Sequence, residues 1–516
     1  MEIKYFLFKL IFFIFNANFA LSNEINNNKN INGKSSLIEN DHSQRKLADE
    51  FQPIRIYIDK TAIEKFAVGQ PEFRKTIVYE AFDNCINALK KIIQVKPYNE
   101  PIKYDFSNHP VFNESYNNIN PKLLSGIEDC DLVVVPLLLE EYSRFEMTSH
   151  DILRNSEGRV TLAVIKISYT FDFRYRNSNK YLQYLIFHQM IHILGFSYES
   201  FERFPGGKDS TYYIESEDSS DSTKIRAYIK TPKVIAFAKK YFNCNDFKGI
   251  PLENQEEGKI KIAHWEPRLL LGDIMSSLTY TPDQVLSEFT LSLLEDSGWY
   301  KINYYTGGLM RFGKHKGCEF WTHDCTEEFE NDFCPFIPGI SNSCSSGRQS
   351  RTYCNPSQKF VQGYDRYPGN WVGEEYADYC IINNNHDKEA KQSETIGYFE
   401  GSCKDGSTQY GEHILYDEFK SESDRIQVGK DLGERLGLEN SFCALSTVYN
   451  SKYPNFVYYV YPMCYPMYCT DSALTIQIKN QYVVCPVTGG KTAVGGDFNG
   501  FIYCPDYNLI YTGIVM

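Results

Sequence analysis

Hydrophobic positions in this chain follow two rhythms and, between them, long continuous runs. Just after Pro53, IRIYID alternates apolar and polar residues, which predicts a half-buried strand. From Glu72 to Ile93 the apolar residues Ile77, Ala81, Ile86, Leu89, Ile92 and Ile93 return with helical spacing, so a long amphipathic helix is expected. Two β-branched runs, DLVVVPLLL from Asp131 to Leu139 and RVTLAVIKIS from Arg159 to Ser168, read as sheet strands. An apolar helical run follows, YLQYLIFHQMIHIL from Tyr181 to Leu194. Ser178 and Asn179 are its cap candidates, and Gly195 is suited to the left-handed turn that closes it.

Further along, ESEDSSDST from Glu215 to Thr223 is polar and acidic and reads as a solvated surface loop. Thr231 can cap a short helix, with Pro232 in its first turn and VIAFAKKYF as its amphipathic body. In TPDQVLSEFTLSLLEDSG, Thr281 and Gln284 form a capping box, Val285, Phe289, Leu293 and Leu294 a buried stripe, and Gly298 a stop.

The first residues break these rhythms. Lys4 and Lys9, the apolar stretch Leu10 to Phe15, and the small residues Ala20 and Ser22 make residues 1–22 a secretory signal peptide by composition. Residues 23–52 are Asn-rich and polar, too poor in apolar side chains to order alone, and read as a short pro-segment or linker. Arg45-Lys46 is a candidate trimming site within it. No later stretch is long and apolar enough for a membrane span or lipid-anchor tail, so a secreted, soluble chain is expected.

Of the 15 cysteines, twelve lie from Cys318 onward, a density that fits disulfides in an oxidising compartment better than metal clusters. An odd number leaves at least one thiol free or available for an intermolecular bond. Asn113-Glu114-Ser115 is a glycan acceptor. The net charge of −13 argues against nucleic acid and anionic membranes as partners. The 39 Tyr and 35 Phe lack the basic interleaving of a base-stacking platform.

Candidate chemistry sits in HQMIHILG. His188 and His192, four apart on a helix, project side by side and can share one metal ion. Zinc at a catalytic site takes three protein ligands, and the best third donor is His264, in IAHWEPRLLLGDIMSS. Met275 follows eleven residues later in a Ser-rich turn. Taken together, HxxxHxxG, a distant HWE and a Met turn resemble the leishmanolysin family of zinc endopeptidases, within the metzincins.

That resemblance implies an α+β, metzincin-like catalytic module at 53–200 and an inserted central domain at 201–316 carrying the third ligand. A disulfide-rich, mainly β domain would follow at 317–516. It also implies one Zn2+ held by His188, His192 and His264, Met275 as an apolar floor, and a protein or peptide substrate. By the same likeness the run after Gly158 is the edge strand that aligns substrate. Cys85 would pair with Cys130 and Cys244 with Cys318. One position departs from the family: the glutamate that takes the proton from the attacking water is here Gln189. An amide can orient water but cannot accept its proton. Glu266, two past a ligand, is the outside candidate for that role. The expectation is a secreted zinc endopeptidase with weak or lost activity; the alternative is a silent zinc-binding protein acting in peptide binding or adhesion.

Overall fold

A computed structural model of the chain describes residues 50–66, 72–106, 120–139, 147–168, 178–218, 221–254, 264–277, 283–304, 310–322, 325, 332–334, 342–354, 356–361, 367–384, 401–406, 421–454, 460–470 and 472–510. The signal peptide, the pro-segment as far as residue 49, the Asn113 acceptor and Thr281 lie outside these residues.

The predicted alternation and the two β-branched runs build one four-stranded sheet. Its strands are β1 (Ile56–Ile58), β2 (Leu132–Leu139), β3 (Met147–Arg154) and β4 (Val160–Ser168), in the order β1-β2-β4-β3. β1, β2 and β4 are parallel, and β3 returns antiparallel to β4. The run after Gly158 is therefore interior, and the edge strand is β3. Pairing on both sides suits the continuous apolar sequence of β4, whereas MTSHDILR, half-exposed and interrupted by a bulge near Ile152, suits an edge.

Strand alternation sends Leu132 and Val134 of β2 to one face of this sheet and Val133, Val135 and Leu137 to the other. Two helices cover the first face: α1 (Glu72–Ile92), with Val78, Ala81, Phe82, Cys85 and Leu89 buried, and α2 (Ser178–Leu194), with Leu182, Leu185, Ile186, Met190 and Ile193 buried. Ile102, Phe106, Leu123, Ile127 and Cys130 cover the second. Cys85 and Cys130 thus lie in cores on opposite sides of the sheet, and both are buried free thiols rather than a disulfide.

The acidic stretch expected to be a loop is part of a hairpin, β5 (Tyr212–Asp218) and β6 (Asp221–Ile229). Helix α3 (Pro232–Phe242) begins at Pro232 as expected, but the Thr231 side chain makes no capping bond. Instead Asp296 accepts the Lys233 and Val234 amides at 2.9 and 3.3 Å, so the cap comes from a distant helix. That helix, α4 (Glu288–Asp296), starts later than the capping-box reading placed it. Ser287 caps it through the Phe289 amide, because Val285 is occupied in main-chain pairing with Gly272 and Ile274.

One apolar cluster runs without a break from Ile54 to Ile382, with α2 inside it. A second, from Val428 to Ile510, belongs to an antiparallel sheet of β7 (Ser441–Ser446), β8 (Tyr461–Cys469), β9 (Leu474–Ile478), β10 (Gln481–Cys485), β11 (Gly490–Ala493) and β12 (Phe501–Cys504), ordered β10-β9-β8-β7-β12-β11. Six disulfides are present: Cys244–Cys318 as expected, then Cys325–Cys380, Cys334–Cys354, Cys344–Cys443, Cys403–Cys464 and Cys485–Cys504. Cys469 is the third free thiol. Among the described residues, no helix is long and apolar enough to cross a membrane.

Candidate metal centre

Helix α2 brings His188 and His192 to one side of its axis, since residues four apart overlie one another. The helix closes at Gly195, whose φ of +139° lies in the region that favours glycine. A Cβ there would sit 3.2 Å from the Trp299 ring. This turn folds Phe196 back so that its carbonyl accepts Nδ1–H of His192 at 2.8 Å.

His264 arrives from elsewhere. Its segment is held between two others: its own carbonyl accepts the Glu253 amide, and the Trp265 amide donates to Met275 O at 2.9 Å. Trp265 is fully buried, packs edge-on against Phe196 with ring centroids 5.0 Å apart, and donates Nε1–H to Thr290 at 2.9 Å.

Three imidazoles therefore converge. His188 Nε2 lies 3.0 Å from His192 Nε2 and 3.2 Å from His264 Nε2. Each Nδ1 faces an acceptor: Ile274 O at 2.6 Å for His188, Phe196 O at 2.8 Å for His192, and a Glu253 carboxylate oxygen at 2.8 Å for His264. Acceptors on all three Nδ1 atoms put the protons there and leave the Nε2 lone pairs pointing at one another. Burial and the neighbouring rings hold His188 well below the usual histidine range, and burial with His264 lowers His192 to about 3, so both are neutral imidazoles at neutral pH, each with its single proton on Nδ1.

Lone pairs that face each other repel unless a cation lies between them. Three nitrogens around a tetrahedral zinc at its usual bond length would stand roughly 3.3 Å apart. The observed spacing is close to that, so the residues present fit the group.

Met275 is fully buried in the turn, and its amide donates to Asp273. Gln189, 8 % exposed, points its amide nitrogen at Met147 O, the first carbonyl of the edge strand, at 3.4 Å. Glu266 is committed elsewhere: its carboxylate pairs with Arg226 at 2.9 Å and caps a short helix through the Arg268 amide. Burial and nearby Asp378 raise its pKa.

The structure brings His188, His192 and His264 together, with Gln189 on the same helix, Gly195 at its end and Met275 in the turn that pairs with Trp265. The outer partners of the histidines had no mark in the sequence. Two of these are main-chain carbonyls, which no side-chain pattern marks, and Glu253 meets His264 only because the chain doubles back.

The family profile for leishmanolysin matches residues 68–514. The chain is 34% identical over 143 residues to a leishmanolysin-like peptidase of Drosophila melanogaster, which is 26% of this chain and 21% of that protein. It is 28% identical over 289 residues to a leishmanolysin-like peptidase of Caenorhabditis elegans, covering 44% and 43% of the two chains. With the ciliated left-right organizer metallopeptidase of Danio rerio it shares 26% identity over 332 residues, 63% of this chain and 45% of the relative. The matched regions thus span less than half the length of each of these relatives.

Proposed function

Because the chain belongs to the leishmanolysin family, whose members are metallopeptidases, we propose that it is a secreted zinc endopeptidase whose proton-transfer step is crippled at Gln189. The observation that carries this reading is the convergence of three Nε2 atoms, each with its Nδ1 anchored. His188, His192 and His264 would hold one zinc ion. That ion would supply Lewis-acid polarisation of a scissile carbonyl and a lowered pKa for the attacking water.

The chain's own residues do the rest. Among the described residues no strand pairs with the outer side of β3, a position from which main-chain groups can bond an extended peptide, and Met147 at its start adjoins Gln189. The Gln189 amide oxygen can orient water but takes no proton from it, and the amide has none to return to the leaving amine. Loss of a positioned general base costs on the order of a hundredfold to ten-thousandfold in rate. Six disulfides support passage through an oxidising compartment.

A second reading draws on one contact. The Gln189 amide nitrogen donates to Met147 O, a bond that a carboxylate cannot make. A site whose residue 189 is tied to the substrate edge suits a silent protein that holds peptides and releases them intact.

The test is cleavage of an unstructured protein substrate by the purified chain and by Gln189→Glu, each with and without a chelator, after zinc content is measured. Cleavage by the variant alone, abolished by the chelator, is the expected result. Equal, zinc-dependent cleavage by both proteins would overturn the role given to Gln189. Absence of bound zinc from both would overturn the metal reading.

A further inference from the structure

We propose that Tyr184 is a positioning residue for the metal centre, acting through a main-chain carbonyl that it shares with His188. The inference rests on the zinc reading above. Tyr184 lies one helical turn before His188 on α2, so both side chains leave the same face, with ring centroids 6.3 Å apart. Both end on one atom. Ile274 O accepts His188 Nδ1–H at 2.6 Å and the Tyr184 hydroxyl at 3.0 Å.

A carbonyl oxygen has two lone pairs, and here each has a donor. The arrangement therefore works as a two-point clamp. Neither donor can draw the carbonyl toward itself without lengthening the other bond. The carbonyl belongs to the residue before Met275, so the clamp also ties the ligand helix to the turn that holds Trp265 and, through it, the His264 segment. Burial and the nearby Asp273 carboxylate push the phenol well above its ordinary range, which favours the protonated, donating form. Gln284 hydrogen-bonds the same hydroxyl from the far side. Ring packing alone requires none of this. A phenylalanine would fill the same space, but the carbonyl would follow His188 alone and the ring would gain freedom to swing.

Tyr184→Phe in the full chain tests the proposal, read by zinc affinity in competition with a chromogenic chelator and by the visible absorption of the cobalt-substituted protein. Tyr241→Phe is the control. Its buried hydroxyl donates to Phe312 O at 2.8 Å, the same bond made away from the histidines. Thermal midpoints are measured for both variants.

The expected result is a zinc Kd raised about tenfold in Tyr184→Phe, with altered cobalt bands, the size usual when a ligand's outer partner is removed. Tyr241→Phe should keep the wild-type Kd and spectrum while losing comparable thermal stability. Wild-type Kd and bands in Tyr184→Phe would overturn the proposal while leaving the zinc reading intact, as would equal effects in both variants. A wild-type chain that takes up neither zinc nor cobalt would overturn both.

Discussion

Asp273 offers the sharpest quantitative prediction. Its carboxylate is fully buried and accepts four donors: the Met275 amide at 2.6 Å, the Thr290 hydroxyl at 2.8 Å, and both the hydroxyl and the amide of Ser287. Thr290 in turn accepts Trp265 Nε1–H, so one carboxylate joins the Met turn, the start of α4 and the segment of the third histidine. These donors favour the charged form, yet burial outweighs them and raises the carboxyl from 3.8 to about 6. That rise is worth about 3 kcal/mol. The folded protein binds this proton more tightly than the unfolded chain does. The associated stability is therefore fully present below about pH 4 and lost as pH rises through about 6.

Asp273→Asn cannot titrate. It shifts stability by an offset from its altered hydrogen bonds, but that offset does not depend on pH. Urea unfolding of both proteins, in chelator, between pH 4 and 7 isolates the effect, because every other group cancels in the difference. The wild type should lose about 3 kcal/mol relative to the variant across that range. Differences that stay flat from pH 4 to 7 would refute the argument that burial dominates at this carboxylate.

Three further outcomes follow from the same geometry. Glu253→Ala removes the acceptor of His264 Nδ1–H and should weaken zinc binding by about ten- to a hundredfold in a competition titration. Gly195→Ala places a side chain at φ +139° and 3.2 Å from Trp299, and should cost about 1–3 kcal/mol in a denaturant titration. The unreduced, denatured chain should yield three thiols: Cys469, half-buried, reacts first in the native protein, while Cys85 and Cys130 stay silent, burial having raised Cys130 to about 11 and Cys85 further.

What the sequence made legible is what periodicity and residue chemistry encode. The i, i+4 histidines, the apolar runs of β2 and β4 and the closing Gly195 each follow from local rules. Features that depend on what a segment meets in space did not show. Edge strand β3 has no clean alternation, because a bulge breaks its register and, among the described residues, only β4 pairs with it. The hairpin β5–β6 is rich in acidic and serine residues and resembles a loop. Thr231 has the right chemistry for a cap, but Asp296 reaches the same amides from another helix. Cys85 on helix α1 and Cys130 just before β2 pack into cores on opposite faces of the sheet, a separation that family likeness alone did not weigh against pairing.

On the proposed reading, the arrangement would let a metal centre stand without a proton acceptor at position 189. Each histidine is oriented by a group unrelated to position 189: the carbonyls of Phe196 and Ile274, and the Glu253 carboxylate. None of these contacts needs a charge at Gln189, whose own amide is satisfied by Met147 O. Replacing the carboxylate by an amide of nearly the same shape therefore removes proton transfer while the three Nε2 atoms remain assembled. In the proposed reading, restoring a carboxylate costs that bond to Met147 and sets a charge against the carbonyl.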